Sequence, residues 1–541
     1  MWSQTYFLFG NNLPISALIA AVPIFTLLLL LGVLRKPAWI AGLAGLSISL
    51  VLAVVGYHMP LPLALSSAAH GAAFGLFPIS WIVFWAIALF RLTVDTGKFE
   101  IIKESLGRLT SDRRMQALLI AFAFGAFIEG ASGFGTPVAV AAAMLTGLGF
   151  PPLRAAAICL LANTAPVAFG SIGIPIVTLA GITGLPLDKL SGAAGRLCAP
   201  VSLFIPAYLV LAIGGIPALQ GAWLPALVAG VSFATTQYLM SNFVGPQLTD
   251  ILSALVTMVA LIGVTRFWKP RDGDLFLHES SEPASDTKVP KVSTAQVLYA
   301  WMPYGLLVIC VLLWGFKPFQ NQLNLFSYNF QWPMLHDLVL RMPPITSTPS
   351  PYHAIYSFNW LSASGTSCMV ATLLSALALR VSPGQFASVI LSTCRQLFLP
   401  TVTVASVLAM AFLLNYSGAT STYGMAFAST GVIFPFFSAI LGWLGVFLTG
   451  SDTSANALFG NLQVVTATRL GLDPILIAAT NSVGGVMGKM ISLQTISVAA
   501  AATGMSTQDQ SQLFRFTLKH SILLVTVVGC LALLYAYVLH I

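Results

Sequence analysis

Long apolar runs separated by short polar stretches dominate the chain, beginning near Leu13, Ala38, Pro78, Met115, Leu153, Leu197, Ala222, Leu248, Ala295, Leu361, Leu399, Gly431, Ile475 and Leu518. A segment surrounded by lipid must satisfy its own backbone polar groups, so these runs predict helices, each needing ~20 residues to cross. Some starts are half-spans. The pattern therefore predicts an all-α polytopic membrane protein with about twelve transmembrane helices plus re-entrant or broken helices. The run from Leu13 to Leu34 lacks a preceding basic region and a small-x-small cleavage site and is too long for a signal-peptide core, so it reads as the first membrane helix.

Two polar stretches punctuate the pattern. Residues 266 to 293 hold five basic and five acidic side chains among Pro, Ser and Asp. That balance describes a solvated linker between a membrane half at 1–265 and a second at 294–541. From about 315 to 360 only Lys317 and Arg341 are basic among many Pro, Trp, Tyr and Asn residues, which predicts a large external loop. Arg35 and Lys36 after the first span, and Lys98, Lys103, Arg108, Arg113 and Arg114 in one later loop, mark cytoplasmic loops. The N-terminus is then external and the linker cytoplasmic.

Composition closes off the alternatives. Only 7% of the 541 residues are charged and 57% are hydrophobic, whereas an ordinary soluble chain carries roughly 25% charged residues. The net charge of +8 is scattered through loops and does not imply a nucleic-acid partner. The cysteines, at 159, 198, 310, 368, 394 and 530, lie in or beside apolar runs and suggest neither disulfides nor a metal cluster. No zinc-protease pair, phosphate loop or dinucleotide fingerprint appears, so no cofactor, metal or catalytic residue is expected.

The candidate chemistry lies in charges that the apolar runs cannot easily hold. Glu129 is alone between Met115 and Leu153, Asp452 is alone between Gln396 and Thr468, and Lys489 is the charge in the apolar part of the run after Pro474. An ionised group at membrane depth costs several kcal/mol unless it faces protein or water, which points to function, with a helix-pinning ion pair as the plain alternative. Ser132, Gly133, Gly135 and Thr136 follow Glu129, and Ser451, Thr453, Ser454 and Asn456 surround Asp452. Glycine at this density unwinds a helix and bares amide groups and helix N-termini that hold anions, although close helix packing also uses small residues. GAFIEGASGFGTP from Gly125 aligns weakly with GVFLTGSDTSANA from Gly445, and NTAPVAFGSIGIP from Asn163 with NSVGGVMGKMISL from Asn481. Paired interruptions of this kind point to a transporter binding site, with Asn163, Thr164, Asn481 and Ser482 opening the second pair. Gly130-Ala131-Ser132-Gly133 also spells the string of intramembrane serine proteases, which needs a histidine base, and His520 is the one in a later apolar helix.

EGASGFGTPVA from Glu129, NTAPVAFGSIGIPI from Asn163, GWLGVFLTGSDTSANALF from Gly442 and GKMIS from Gly488 resemble the signature segments of the bacterial lactate permease family. The likeness extends from the first span to FRFTLKHS at Phe514, and departs at Leu493, where the family usually has Pro. It implies an inner-membrane carrier importing L-lactate, and often D-lactate and glycolate, with protons, built from two halves as an inverted repeat with paired re-entrant hairpins. A sodium-coupled carrier of other carboxylates is the alternative. The implied partners are 2-hydroxy monocarboxylates, protons and the lipid bilayer, with homo-oligomerisation left open. On this reading Ser132, Gly133, Gly135, Thr136, Asn163, Ser451, Thr453, Ser454, Asn456, Asn481 and Lys489 bind substrate. Glu129 or Asp452, the two embedded carboxylates this reading finds, carries the proton, since leaving water favours a neutral carboxyl, and Lys489 is either a substrate ligand or the counter-ion to one of them.

Overall fold

The computed structural model describes residues 1–8, 10, 12–133, 135–268 and 293–539. Among the described residues, ten helices are long and apolar enough to cross a membrane, or twelve if each of two bent pairs counts as one span. This agrees with the all-α polytopic expectation. The helix Leu187–Phe243 runs for 57 residues, ~85 Å at 1.5 Å per residue, which is too long for one crossing. Non-helical backbone at Gly214, Gly215 and Ala222 divides it, matching the two expected starts at Leu197 and Ala222. Leu61–Phe74 is an additional helix ahead of the expected start at Pro78.

Burial separates a centre from a lipid-facing rim. The apolar windows of Ala38–Gly56 and Gln508–Leu539 are 28% buried, whereas those of Arg113–Ala131 and Pro474–Thr503 are 100% and 94% buried. An apolar helix that is enclosed on all sides belongs to the core. Pro474–Lys489 reaches its neighbour Phe434–Thr449 through glycine. A Cβ on Gly484 would run into the backbone of Ala439, and one on Gly488 into the Trp443 carbonyl. This is the small-residue contact that membrane bundles use for close approach.

Four helix breaks face this centre. Arg113–Ala131 ends at Ser132, and the chain passes Gly133 (φ 61°) and Gly135 (φ 81°) before Thr136–Gly147. Phe434–Thr449 ends at Gly450 (φ 73°) before Asp452–Leu470. Pro152–Ala162 and Val167–Thr183 meet at 66°, with Ser171, Ile172 and Gly173 all left-handed. Lys489 ends its helix, and Ser492 caps Leu493–Thr503 by accepting from the Thr495 N–H at 3.2 Å. Leu493, the departure from the family pattern, is the first residue of that helix, a position where proline fits. The break forms there without it.

The loop expected at about 315–360 is structured. Tyr328–Gln331 pairs antiparallel with Ile355–Phe358, Val339–Arg341 pairs antiparallel with Ser350–Pro351, and Trp2–Ser3 adds parallel to Val339–Arg341. The chain start and this cap therefore share one face. Of the linker expected at 266–293, residues 269–292 lie outside the described residues. Its far end is Ser293, whose hydroxyl accepts from the Gln296 N–H in a capping box that starts Thr294–Gly315.

Candidate functional site

The breaks enclose a cavity of about 80 Å³, several times the ~10–15 Å³ that a single water needs. Its wall includes Glu129, Gly135, Gly170, Ser171, Gly450, Ser451, Asp452, Thr453, Lys489, Gln494 and Thr495. Three helix N-termini, at Thr136, Asp452 and Leu493, border it. Their unpaired N–H groups and positive dipole ends favour an anion.

Charge in the cavity is arranged in two groups. Lys489 Nζ donates to Glu129 Oε1 at 2.7 Å, with Glu129 3% and Lys489 8% exposed. This is the counter-ion arrangement. It joins the first half of the chain to the second at the cavity wall. Asp452, 4% exposed, accepts from Ser482 Oγ at 2.6 Å and from Asn456 Nδ2 at 3.4 Å, both through Oδ2. Asn456 Nδ2 also lies 3.2 Å from the Pro175 carbonyl, so this group ties the halves as well. Behind it Asn481 Nδ2 donates to Asn456 Oδ1 at 2.9 Å, and Gln463 Nε2 donates to Asn481 Oδ1 at 2.9 Å. Glu129 Oε2 and Asp452 Oδ1 have no hydrogen-bond partner among the described residues. A buried acceptor without a partner is costly, so both carboxylates keep unused hydrogen-bonding capacity beside the cavity.

The structure brings Glu129, Gly135, Ser451, Asp452, Thr453 and Lys489 to one cavity and leaves other expected residues around it. Ser132 donates to the Ile128 carbonyl at 3.0 Å, and its own carbonyl accepts from Ser171 Oγ at 3.0 Å. Gly133 lies against Ser171, where a Cβ would collide with Oγ. Thr136 opens its helix, and Ser454 gives its N–H to the Ser451 hydroxyl at 3.2 Å. Asn456 and Asn481 form the support behind Asp452. Asn163 and Thr164 line a small neighbouring pocket that shares Lys489 and Thr495 with the cavity, and the Asn163 side chain has no hydrogen-bond partner among the described residues.

Three expectations need correction. Asn481 and Ser482 do not open a break: the helix runs through them to Lys489, because their side chains are satisfied by Asn456, Gln463 and Asp452 and the glycines that follow serve packing. Glu129 and Asp452 are not the only buried carboxylates. Asp250 is 1% exposed, has no partner for either oxygen among the described residues, and lies against Gly130, whose Cβ would come within 2.8 Å of the Asp250 Cβ. It stands at the start of an apolar run, where a carboxylate ordinarily meets water, so its spacing carried no signal of burial. The protease reading also fails, since Ser132 is bonded within its own helix and His520 pairs with Tyr208. Ser171, Gln494 and Thr495 were missed. Ser171 could have been found from the glycines flanking it in GSIGIP.

Gln494 lines a second, larger cavity of about 700 Å³ together with Arg35, Lys36, Gln510 and Ser511. This vestibule lies one crossing away from the N-terminal cap.

Broken helices of two halves, meeting around a small polar cavity with a basic vestibule, define a multi-pass membrane carrier. Residues 16–539 match the family model described as L-lactate permease, and the chain belongs to that family. It is 45% identical to the L-lactate permease of Bacillus subtilis (strain 168), covering 99% of both chains. It is 44% identical to the glycolate permease GlcA of Escherichia coli (strain K12), covering 99% of this chain and 98% of that one. It is 42% identical to the L-lactate permease of the same E. coli strain, covering 100% and 99%. The protein is a transporter and not an enzyme.

Proposed function

We propose that the protein imports L-lactate, with D-lactate and glycolate as further substrates, across the bacterial plasma membrane together with protons. The N-terminus and the cap face outward, and the vestibule faces the cytoplasm. The observation that carries this reading is the Lys489–Glu129 pair on the cavity wall. A substrate carboxylate needs a cation, and Lys489 is the cation lining this cavity. A proton arriving on Glu129 releases the ammonium, which then takes the carboxylate. Proton and monoanion together add no net charge, so import avoids the ~2.3 kcal/mol per 100 mV that an anion alone would face.

The surroundings fit the same substrate class. The cavity's size suits a solute of a few non-hydrogen atoms, the helix N-termini favour a carboxylate, and Asp452 Oδ1 offers an acceptor for an α-hydroxyl. Relatives named for L-lactate and for glycolate differ in substrate by one methyl group, which suggests that the cavity tolerates either. Of the two carboxyls expected to carry the proton, the geometry favours Glu129, since it holds the lysine, and leaves Asp452 to orient the hydroxyl.

Purified protein in proteoliposomes is expected to accumulate labelled L-lactate when the external side is made acidic in sodium-free buffer, and unlabelled glycolate should compete. Accumulation that requires sodium would replace the proton reading, and no accumulation with either ion would overturn the proposal.

A further inference from the structure

The cap holds a group of side chains that the transport site does not use. His336 and Asp337 lie between strands Tyr328–Gln331 and Val339–Arg341, while His353 lies between Ser350–Pro351 and Ile355–Phe358. The two sheets bring the three residues together. Asp337 Oδ1 is 2.6 Å from His353 Nδ1, and Asp337 Oδ2 is 3.1 Å from His336 Nε2. One ligand atom from each residue falls within 4.8 Å of the others.

We propose that this trio is an external binding site for a divalent transition-metal ion of the zinc class. Two imidazole nitrogens and a carboxylate form a donor set that suits zinc, nickel or copper, whereas calcium and magnesium call for oxygen-only shells. Zinc bonds of ~2.0–2.2 Å set neighbouring tetrahedral ligands about 3.3–3.5 Å apart. An ion would widen the two aspartate–histidine contacts by less than 1 Å and draw ligand atoms now up to 4.8 Å apart in to that spacing. The His353 side chain is 67% exposed and free to adjust, that of Asp337 is 38% exposed, and that of His336 is 12% exposed. The site is therefore open to an ion from bulk water, and a water can complete the shell.

The backbone of Ala354 lets His336 serve with or without the ion. Its N–H and its carbonyl oxygen both lie 3.1 Å from His336 Nδ1. When the Ala354 N–H donates to Nδ1, the Nε2–H is left to donate to Asp337. When Nδ1–H donates to the carbonyl, Nε2 turns a lone pair toward Asp337, an arrangement that a cation between them satisfies. Outer hydrogen bonds of this sort fix the ring of a metal-binding histidine. A bound ion would join the segments entering both sheets, and the neighbouring His353 carbonyl accepts from Tyr416 Oη at 3.3 Å. The ion would thus tighten the cap on the end of helix Pro383–Ser417.

Full-length protein in detergent, stripped with a chelator, is titrated with zinc chloride alone by calorimetry. A single ion per chain is expected, with magnesium and calcium giving no comparable heat. His353→Ala removes an exposed ligand, and it and Asp337→Asn should each weaken binding by at least about tenfold. Zinc should slow protease cleavage of the cap in the unsubstituted protein and leave the rate in His353→Ala unchanged. Lactate uptake by His353→Ala reports that the variant is folded. Equal zinc affinity in the unsubstituted protein and His353→Ala, or no zinc binding by the former, would overturn the site. Neither result bears on lactate transport.

Discussion

Glu129→Gln separates the coupling role of the buried pair from its structural role. The two groups lie 2.7 Å apart with side-chain exposures of 3% and 10%. Removing one partner of such a pair costs about 3–5 kcal/mol, because the other charge is left without compensation. Glu129→Gln and Lys489→Gln should each lose stability on this scale. The double variant should lose less than the sum of the two single losses, the difference being a coupling energy of about 2–3 kcal/mol in a thermodynamic cycle. The stranded ammonium in Glu129→Gln gains a counter-ion when lactate binds, so substrate affinity should rise. With 1.4 kcal/mol per tenfold, recovering even part of the lost pair gives about tenfold tighter binding. The same variant cannot discharge a proton. It should retain lactate exchange at equal pH on both sides and lose accumulation driven by a pH gradient. Thermal unfolding, calorimetric lactate binding and the two proteoliposome assays test these four outcomes. Full accumulation by Glu129→Gln, or a coupling energy near zero, would refute the mechanism.

Gly133→Val places a Cβ onto Ser171 Oγ at a φ of 61°, so labelled-lactate uptake should be abolished while the protein still reaches the membrane fraction; normal uptake would reduce this glycine to packing. Ser482→Ala deletes the 2.6 Å donor to Asp452 and should lower stability by about 1–3 kcal/mol, read from the unfolding midpoint. Asp112→Ala takes the carboxylate from fully buried Arg114, whose Nη2 it meets at 2.8 Å, and removes a helix cap, with an expected loss of about 3–5 kcal/mol. Protease added outside intact cells should leave residues 266–293 uncut, and cleavage there would reverse the orientation.

The crossings were legible because lipid permits so few backbone solutions that an apolar run of sufficient length is a helix. Leu61–Phe74 escaped because its Ser, Ala, Gly and His residues give a weaker apolar signal than its burial warrants. The breaks at Gly133–Gly135 and Gly450 were legible for a different reason, since left-handed backbone asks for glycine. The same residue misled at 484–488, where Gly484 and Gly488 admit a neighbouring helix and the backbone stays helical. Glu129, Asp452 and Lys489 stood out as isolated charges, but the pairing of Glu129 with Lys489 joins residues 360 apart in the chain, and no local pattern encodes that. Asp250 and the His336–Asp337–His353 trio share this opacity. Each depends on which segments the fold brings together.

The parallel pairing of Trp2–Ser3 with Val339–Arg341 sets an order on biosynthesis. The first strand emerges from the ribosome roughly 340 residues before its partner, and at about 5–20 residues per second that is on the order of tens of seconds. Gln4 waits longer still, since its side chain donates to the carbonyls of Asn415 and Tyr416 at 3.0 and 2.9 Å. During that interval the leading segment has nothing to pair with. The cap closes only after about half of the second half has been translated. Tags fused ahead of Trp2 would crowd this late step, so a C-terminal tag is the better choice for producing the protein.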